Sequence, residues 1–502
     1  MNNPFPQSTR QSPAALIFFA IRVVMGIVRQ WWPLVLIVLF RSGQEGSGRK
    51  VYMGLGLAAL GIFLIIRSAL GYFRFTFNLT EESLEVQKGL FSRQKLSIPF
   101  ERIQAVNFEQ DIIHQLLNVV KVNIDTAGSG GAEVSFAALT RPDAEAMRRF
   151  ILENRKEVVG EEVEEEEAAA LAEQAQTRPW LRLSLDDLLK VGLGQNHLRT
   201  ALIIIGFFFS ILNRVEEAMG WDAEDVYYSI VGMELNLENW VSIGLIILPF
   251  FLIISIIFSL VRTFLRYFDL RVMRTARGYR LTAGLLQRRE QEVNLGKVQM
   301  ARGKRTWLER LLKQHTFSLK QASSKAGGGG NFVVPGLTDA NVEKLLQPLY
   351  GDELEFEKDR FGPSNWYRYR LFLFRALFPA LLFASSYFYT QNLQVFILAG
   401  LWLVIGTWWS YRFVKTFSIN VNQEILEVQR GVFTRSQDLL AIYKVQAVTM
   451  RQSPYQRRHA LASLTLHTAG GDLSLPYIDM VRAQVLRDFF LYKVETDSRD
   501  WM

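Results

Sequence analysis

Three short stretches decide how this chain is read: Gly89-Leu90-Phe91-Ser92-Arg93, Gly284-Leu285-Leu286-Gln287-Arg288 and Gly431-Val432-Phe433-Thr434-Arg435. Each runs Gly, two apolar residues, a variable residue, Arg. Fifteen residues after each Gly stands a Gln, at Gln104, Gln299 and Gln446, preceded by a basic and a β-branched residue (Arg102-Ile103, Lys297-Val298, Lys444-Val445). Twenty-three residues beyond the Gln lies Ala127, Ala322 or Ala469. Agreement at fixed spacing over such a length marks an internal triplication, and a repeat sets the fold before any single residue does. The function belongs to a unit that occurs three times.

Composition frames what that unit sits in. The chain has 502 residues, 49% of them hydrophobic, with a slightly positive mean hydropathy. That mixture points to membrane helices alternating with soluble units of domain size. A net charge of +8 and a pI near 9.4 favour anionic lipid or nucleic acid as surroundings. With no cysteine there is no disulfide framework, thiolate metal site or cysteine nucleophile.

A helix that crosses a bilayer needs about 20 mostly apolar residues. Segments 51–73, 198–212, 241–265, 370–389 and 393–409 read as spans, and 14–40 as a sixth whose membrane part is 23–40 after an interfacial first half. They fall in three pairs. The loop 213–240 holds Glu216, Glu217, Asp222, Glu224, Asp225, Glu234 and Glu238 against Arg214 alone, whereas Arg67, Arg74, Arg262, Arg266, Arg412 and Lys415 crowd the opposite ends. By the positive-inside rule the soluble units and both termini are expected in the cytoplasm, although Arg41, Arg49 and Lys50 in the first turn dissent. No small-residue cleavage site follows the first apolar stretch, so it reads as an anchor.

After each pair come about eighty residues of β character. Phe75 to Leu79 and Leu84 to Lys88 alternate in period two around a polar turn, as do Phe417 to Val421 and Ile425 to Val428. Further short strands are expected at 95–98, 105–108, 119–125 and 133–136, and a closing helix at 142–154, 339–349 and 479–494, with Thr140 and Thr338 as N-caps. The predicted fold is an α+β membrane protein, with six transmembrane helices in three pairs and a curled antiparallel half-barrel plus C-terminal helix after each. The divisions are 14–73 for the first helix pair, 74–158 for unit 1 and 159–179 for an acidic linker. Then follow 180–265 for an amphipathic helix and the second pair, 266–351 for unit 2, 364–411 for the third pair and 412–496 for unit 3.

The Gly-x-x-x-Arg, the [Lys/Arg]-[Ile/Val]-Gln, and the Thr-Ala-Gly of Thr126-Ala127-Gly128 and Thr468-Ala469-Gly470 resemble the bacterial membrane-flanked domain family, whose units have a pleckstrin-homology-like (PH-like) fold beside paired membrane helices. With the helices included, the resemblance covers nearly the whole chain. It is similar to the larger, triple-repeat kind of member, which implies a smaller single-copy membrane-flanked protein as a partner. The second copy departs, with Gln321-Ala322-Ser323 and a Gly327 to Gly330 run.

The repeated residues admit bland and sharp roles. Gly89, Gly284 and Gly431 read as turn positions that need positive φ. Gln104, Gln299 and Gln446 are suited to bridge neighbouring strands, or to meet a lipid or partner. Arg93, Arg288 and Arg435 suit phosphate, packing or an ion pair. The copies differ most in charge: 74–155 carries −1, 266–350 carries +10 and 412–502 carries +3. In the middle unit Arg271, Arg274, Arg277 and Arg280 lie along the first hairpin, and Arg302, Lys304 and Arg305 follow Gln299. The resemblance implies lipid phosphate at the first hairpin; the plain alternative is juxtamembrane positive charge, which also attracts an anionic leaflet. The third unit offers a smaller cluster, Arg451 with Arg457-Arg458-His459. Trp180 to Val191 reads as a surface helix capped by Ser184 and anchored by Trp180.

The five histidines lack metal-ligand spacing, and no nucleophile elbow or phosphate loop is present. No catalytic residue, metal or cofactor is expected. The expected function is a membrane scaffold that binds anionic lipid or a partner protein and no nucleic acid, with an oligomer left open, in envelope stress or defence against membrane-active peptides. The alternatives are a transporter or permease component and, behind it, a lipid-modifying enzyme.

Overall fold

The computed structural model describes residues 3–21, 66–89, 94–126, 132–157, 179–219, 237–275, 278–321, 332–351, 360–391 and 393–499, with isolated positions between 22 and 65. Module 1 contains β1 (Thr9–Arg10), β2 (Thr76–Leu79), β3 (Ser83–Lys88), β4 (Gln94–Pro99), β5 (Ile103–Gln110), β6 (Val119–Thr126) and β7 (Ala132–Thr140). Module 2 contains β8 (Leu181–Arg182), β9 (Arg271–Thr275), β10 (Gly278–Ala283), β11 (Arg288–Asn294), β12 (Val298–Arg305), β13 (His315–Gln321) and β14 (Phe332–Leu337). Module 3 contains β15 (Ser418–Val421), β16 (Ile425–Arg430), β17 (Arg435–Ala441), β18 (Ala447–Arg451), β19 (Leu461–Thr468) and β20 (Gly471–Asp479).

The alternating strands of each module do not close on themselves. The last three strands of a module form one half and the strands before them the other (four in modules 1 and 2, three in module 3), and a single 3-10 turn (Phe100–Arg102, Leu295–Lys297, Ile442–Lys444) separates them. The second half of one module then joins the first half of the next. One sheet runs β7-β6-β5-β11-β10-β9-β8 and the next runs β14-β13-β12-β17-β16-β15. The array ends in β1-β2-β3-β4 on one side and β18-β19-β20 on the other.

Both junctions use one register. Arg288 lies opposite Gln110 across β11 and β5, and Arg435 lies opposite Arg305 across β17 and β12. In each case the repeated Arg faces the residue six places after the repeated Gln of the preceding module. The glycine four residues before it sets up the strand. Gly89, Gly284 and Gly431 have φ of 120°, 111° and 115°. A Cβ at Gly284 or Gly431 would stand 2.0 Å from the carbonyl oxygen of Gln287 or Thr434. The turn therefore closes only around glycine.

Burial follows the period-two pattern. In module 1, Phe77 and Phe136 meet edge to face at 4.9 Å, and the helix Arg141–Glu157 covers them with Ala144, Met147, Phe150 and Ile151. Thr140 receives the amide of Asp143 at 3.3 Å as its cap; Thr338 occupies the same place before Asp339–Tyr350 without a side-chain bond. The core of module 2 includes Ile425 and Leu439 of module 3, and Met300 of module 2 lies in the core of module 3. The second junction is thus part of the hydrophobic interior, where each fully buried aliphatic side chain contributes about 1.5–3 kcal/mol.

The membrane part corrects the expectation of six spans. Among the described residues two helices are long and apolar enough to cross a bilayer, Ile247–Tyr267 and Gln394–Thr416, with a shorter apolar stretch at His197–Phe208. The expected first pair falls mostly outside the described residues. The helix His197–Met219 gains Arg214, Glu216 and Glu217 in its last turns. The expected span at 370–389 is broken into Trp366–Phe372, a π segment Leu373–Leu377, Phe378–Ser385 and Tyr387–Thr390. Pro379 explains the break: it has no N–H to give the carbonyl of Arg375 and crowds it. The Trp402 indole N–H donates to that carbonyl instead, at 3.0 Å. Trp180 is also not an interfacial anchor; it packs 5.8 Å from the Tyr279 ring, ahead of the capped helix Leu185–Leu193.

A buried carboxyl at the first junction supplies a test. Asn107 on β5 donates to Asp125 at 2.8 Å and accepts the amide of Glu292 from module 2 at 3.3 Å. Burial pushes the Asp125 carboxyl up to about 6, with Glu109 adding to the rise and Asn107 opposing it. A raised carboxyl costs stability above its folded pKa, and the cost vanishes once the group is neutral in both states. Asp125→Asn is predicted to stabilise the protein at pH 7.5 by on the order of 2 kcal/mol, with the gain shrinking as pH falls from 7 to 4. Thermal unfolding at several pH values checks this; a gain independent of pH contradicts it.

Candidate anion-binding site

The second junction gathers a set of basic residues, most of them without a carboxylate partner among the described residues. A cleft of about 510 Å³ is lined by Lys304 and Arg305 from the end of β12, Arg310 from the short helix Trp307–Leu311, and Arg430 and Arg435 from β16 and β17. Arg360 and Lys415 complete the set. Seven cations line it, and no carboxylate among the described residues does. The strand pairing is what forces them together, because Arg305 and Arg435 are direct cross-strand partners. Like charges placed so oppose the pairing by a few tenths to about 1 kcal/mol.

Their local bonds leave most of this charge uncompensated. Asp438, fully buried, holds Arg302 and also Arg430, the latter at 3.0 Å. Arg310 donates to the carbonyls of Val432 and Phe433 at 3.2 and 3.3 Å, and its Nε is buried without a partner. The Nε of Arg305 is likewise buried and unpartnered. Lys304, Arg305, Arg360, Lys415 and Arg435 have no carboxylate partner among the described residues. Burial, then the charges of Arg435 and Arg305, push the Arg310 pKa below its ordinary value. Lys320 is pushed down in the same way, by burial and by Arg302, with Lys304 and Arg430 adding to it against Asp438.

The cleft sits where a membrane helix ends. Lys415 and Thr416 close the helix Gln394–Thr416, and the Thr416 hydroxyl donates to the carbonyl of the repeated Gly431 at 2.9 Å. Phe433 of the same turn packs near Trp408 and Trp409, at 6.0 and 5.7 Å. Aromatic rings of this kind concentrate at the headgroup level of a bilayer. Guanidinium groups with open donors offer geometry that matches a phosphate.

Other basic residues singled out from the sequence are engaged elsewhere. Arg271 pairs with Asp269 through contacts of 3.0 and 2.5 Å. Arg280 meets Glu292 at 2.5 Å, where Arg148 from module 1 also reaches Glu290 and Glu292 at 2.6 and 2.5 Å. That network clamps the first junction. Arg274 lines a separate cleft of about 420 Å³ with Trp180, Tyr279 and Lys344. Arg277, Arg93 and the side chain of Gln104 lie outside the described residues. Gln299 is buried against Gly470, and Gln446 is exposed. Arg302 serves the junction, Arg288 opens β11, and only Lys304, Arg305 and Arg435 enter the basic cleft. Arg310, Arg360, Lys415 and Arg430 were missed because their convergence depends on pairing strands about 130 residues apart; the repeated Arg was the available signal. No three His, Asp or Glu side chains among the described residues converge as metal ligands.

Comparison with known proteins agrees with this architecture. The chain is 22% identical over 431 residues to the UPF0699 transmembrane protein YdbT of Bacillus subtilis (strain 168), covering 83% of this chain and 84% of that one. It is 28% identical over 74 residues to the UPF0699 transmembrane protein YdbS of the same organism, 15% of this chain and 46% of that one. The likeness to transmembrane proteins and the two apolar helices mark the chain as membrane-associated. The bacterial PH domain model matches it three times, at 20–155, 230–352 and 373–494, so the chain belongs to the bacterial PH domain family.

Proposed function

We propose that this chain is a non-catalytic membrane scaffold whose basic cleft between modules 2 and 3 holds the phosphate of an anionic lipid headgroup. One observation carries the reading: Arg305 and Arg435 face each other across neighbouring strands, with Arg310 beside them, in a cleft that no described carboxylate lines. An arrangement that opposes its own pairing is relieved by a bound anion. The adjoining helix end and its aromatic residues support a position at headgroup height, and the basic ends of the apolar helices favour the cytoplasmic face. Such a scaffold draws anionic lipid to itself, and cationic membrane-active peptides compete for the same headgroups. A role in withstanding those peptides fits the chemistry.

The test uses the full chain in a zwitterionic detergent, followed by thermal unfolding. Phosphatidylglycerol is expected to raise the midpoint by several degrees, phosphatidylcholine to leave it unchanged, and inorganic phosphate to give a much smaller rise. Salt weakens the effect because the contacts are ionic. Arg305→Gln is expected to raise the midpoint of the lipid-free protein, since it removes a like-charge pair, and to abolish most of the gain from phosphatidylglycerol. Equal gains from both lipids, a full gain from phosphate alone, or an unchanged gain in the variant overturns the reading.

A further inference from the structure

The array is unfinished at both ends, and the two ends are of opposite kinds. β11 and β17 each pair with a strand of the preceding module, but their counterpart in module 1, β4, pairs only with β3 among the described residues. β5 and β12 each pair with a strand of the following module, but their counterpart in module 3, β18, pairs only with β19 among the described residues. An uncovered edge of this kind presents a row of unpaired backbone donors and acceptors.

Burial at equivalent positions shows what a following module does. On β12 and just before Met300, the side chains of Gln299, Met300 and Ala301 are at most 1% exposed. Their counterparts on module 3 are Gln446 and Ala447, both exposed, and Val448, half-buried. The short helix after the edge strand repeats the pattern. Gln115 donates to the carbonyls of Leu285 and Leu286, both at 3.3 Å, and Arg310 to those of Val432 and Phe433. The same position in module 3 is Arg457, whose side chain meets no carbonyl acceptor among the described residues and lines an open cleft of about 420 Å³ with Gln452, Pro454 and Arg458. Module 3 carries the half-junction that modules 1 and 2 fill.

We infer that the β18 edge and Arg457 cleft of one chain dock onto the β4 edge of a second copy, continuing the sheet array from chain to chain. The occupant follows from the two internal junctions, which share one register and can be extended by one step. The repeat spacing then places Met450 opposite Lys95 and Thr449 opposite Leu96. Modules 2 and 3 each follow an apolar helix, Ile247–Tyr267 and Gln394–Thr416, so one more step in the same register keeps a second copy's helices on the same side as those of the first. The contact is head to tail and leaves a free β4 at one end and a free β18 at the other, so it builds rings or rows rather than closed dimers. It lacks the buried ion pairs that Arg148 and Arg302 provide internally, since Thr449 and Leu96 replace Arg302 and Asp438. The chain-to-chain contact is accordingly weaker than the internal ones.

The natural absence of cysteine makes disulfide trapping direct. Lys95→Cys with Met450→Cys, or Leu96→Cys with Thr449→Cys, is introduced into the full chain in native membranes and oxidised. Facing residues in antiparallel strands lie within disulfide range. Each double variant is expected to give a ladder of dimer, trimer and higher species. A mixture of the two single variants is expected to stop at the dimer, and each single variant alone to stay monomeric. Val448→Lys, which sets a charge into the half-buried edge, should cut the ladder at least fivefold. A single variant that cross-links to itself overturns the inference in favour of back-to-back pairing. Capture of a smaller protein at Met450→Cys overturns it in favour of a different partner, and monomer in all variants overturns it outright.

Discussion

Antiparallel strand pairing across module boundaries is the constraint on which the rest depends. A half-module of three strands has two edges, and an edge left bare costs hydrogen bonds and invites aggregation. Here a 3-10 turn splits every module, and at the two internal junctions the edge of one half is covered by the neighbouring module rather than by its own other half. The core follows suit, with Met300, Ile425 and Leu439 crossing between modules 2 and 3. Strand pairing joins the three modules, and between modules 2 and 3 the contact is as buried as the module interiors.

Much of this was legible in the residues and part was not. Period-two alternation and the Gly-x-x-x-Arg turns placed the strands, because both reflect local backbone geometry. The partner of each third strand was invisible, since a strand in module 3 meets one in module 2 at a separation that no short-range pattern records. For the same reason the count of Arg along the first hairpin of module 2 was a poor guide. Arg271 and Arg280 are neutralised by Asp269, Glu290 and Glu292, acids that the linear sequence scatters and the fold returns to them. Arg435, which looked like one of three scaffold residues, became part of the cleft only through Arg305 opposite it. Of the six expected spans, two return among the described residues as long apolar helices, and the run at 370–389 is broken at Pro379, where Trp402 takes the freed carbonyl.

The repeated motif acquires a single mechanical meaning. Its Gly allows the turn, its turn carbonyls receive the short helix of the preceding module, and its Arg opens the strand that joins the sheets. At the second junction that joining strand brings Arg305, Arg310 and Arg435 together beside a membrane helix end. Architecture and charge therefore meet at one place: the join that completes the sheet also concentrates the positive field.

Amide hydrogen exchange of the full chain in nanodiscs, with and without phosphatidylglycerol, tests this most directly. The account predicts that the amides of Ala301 to Arg305 on β12 and Arg435 to Leu439 on β17 exchange as one unit and slow together when the anionic lipid is present. Independent exchange of the two strands, or equal rates with and without that lipid, would contradict it.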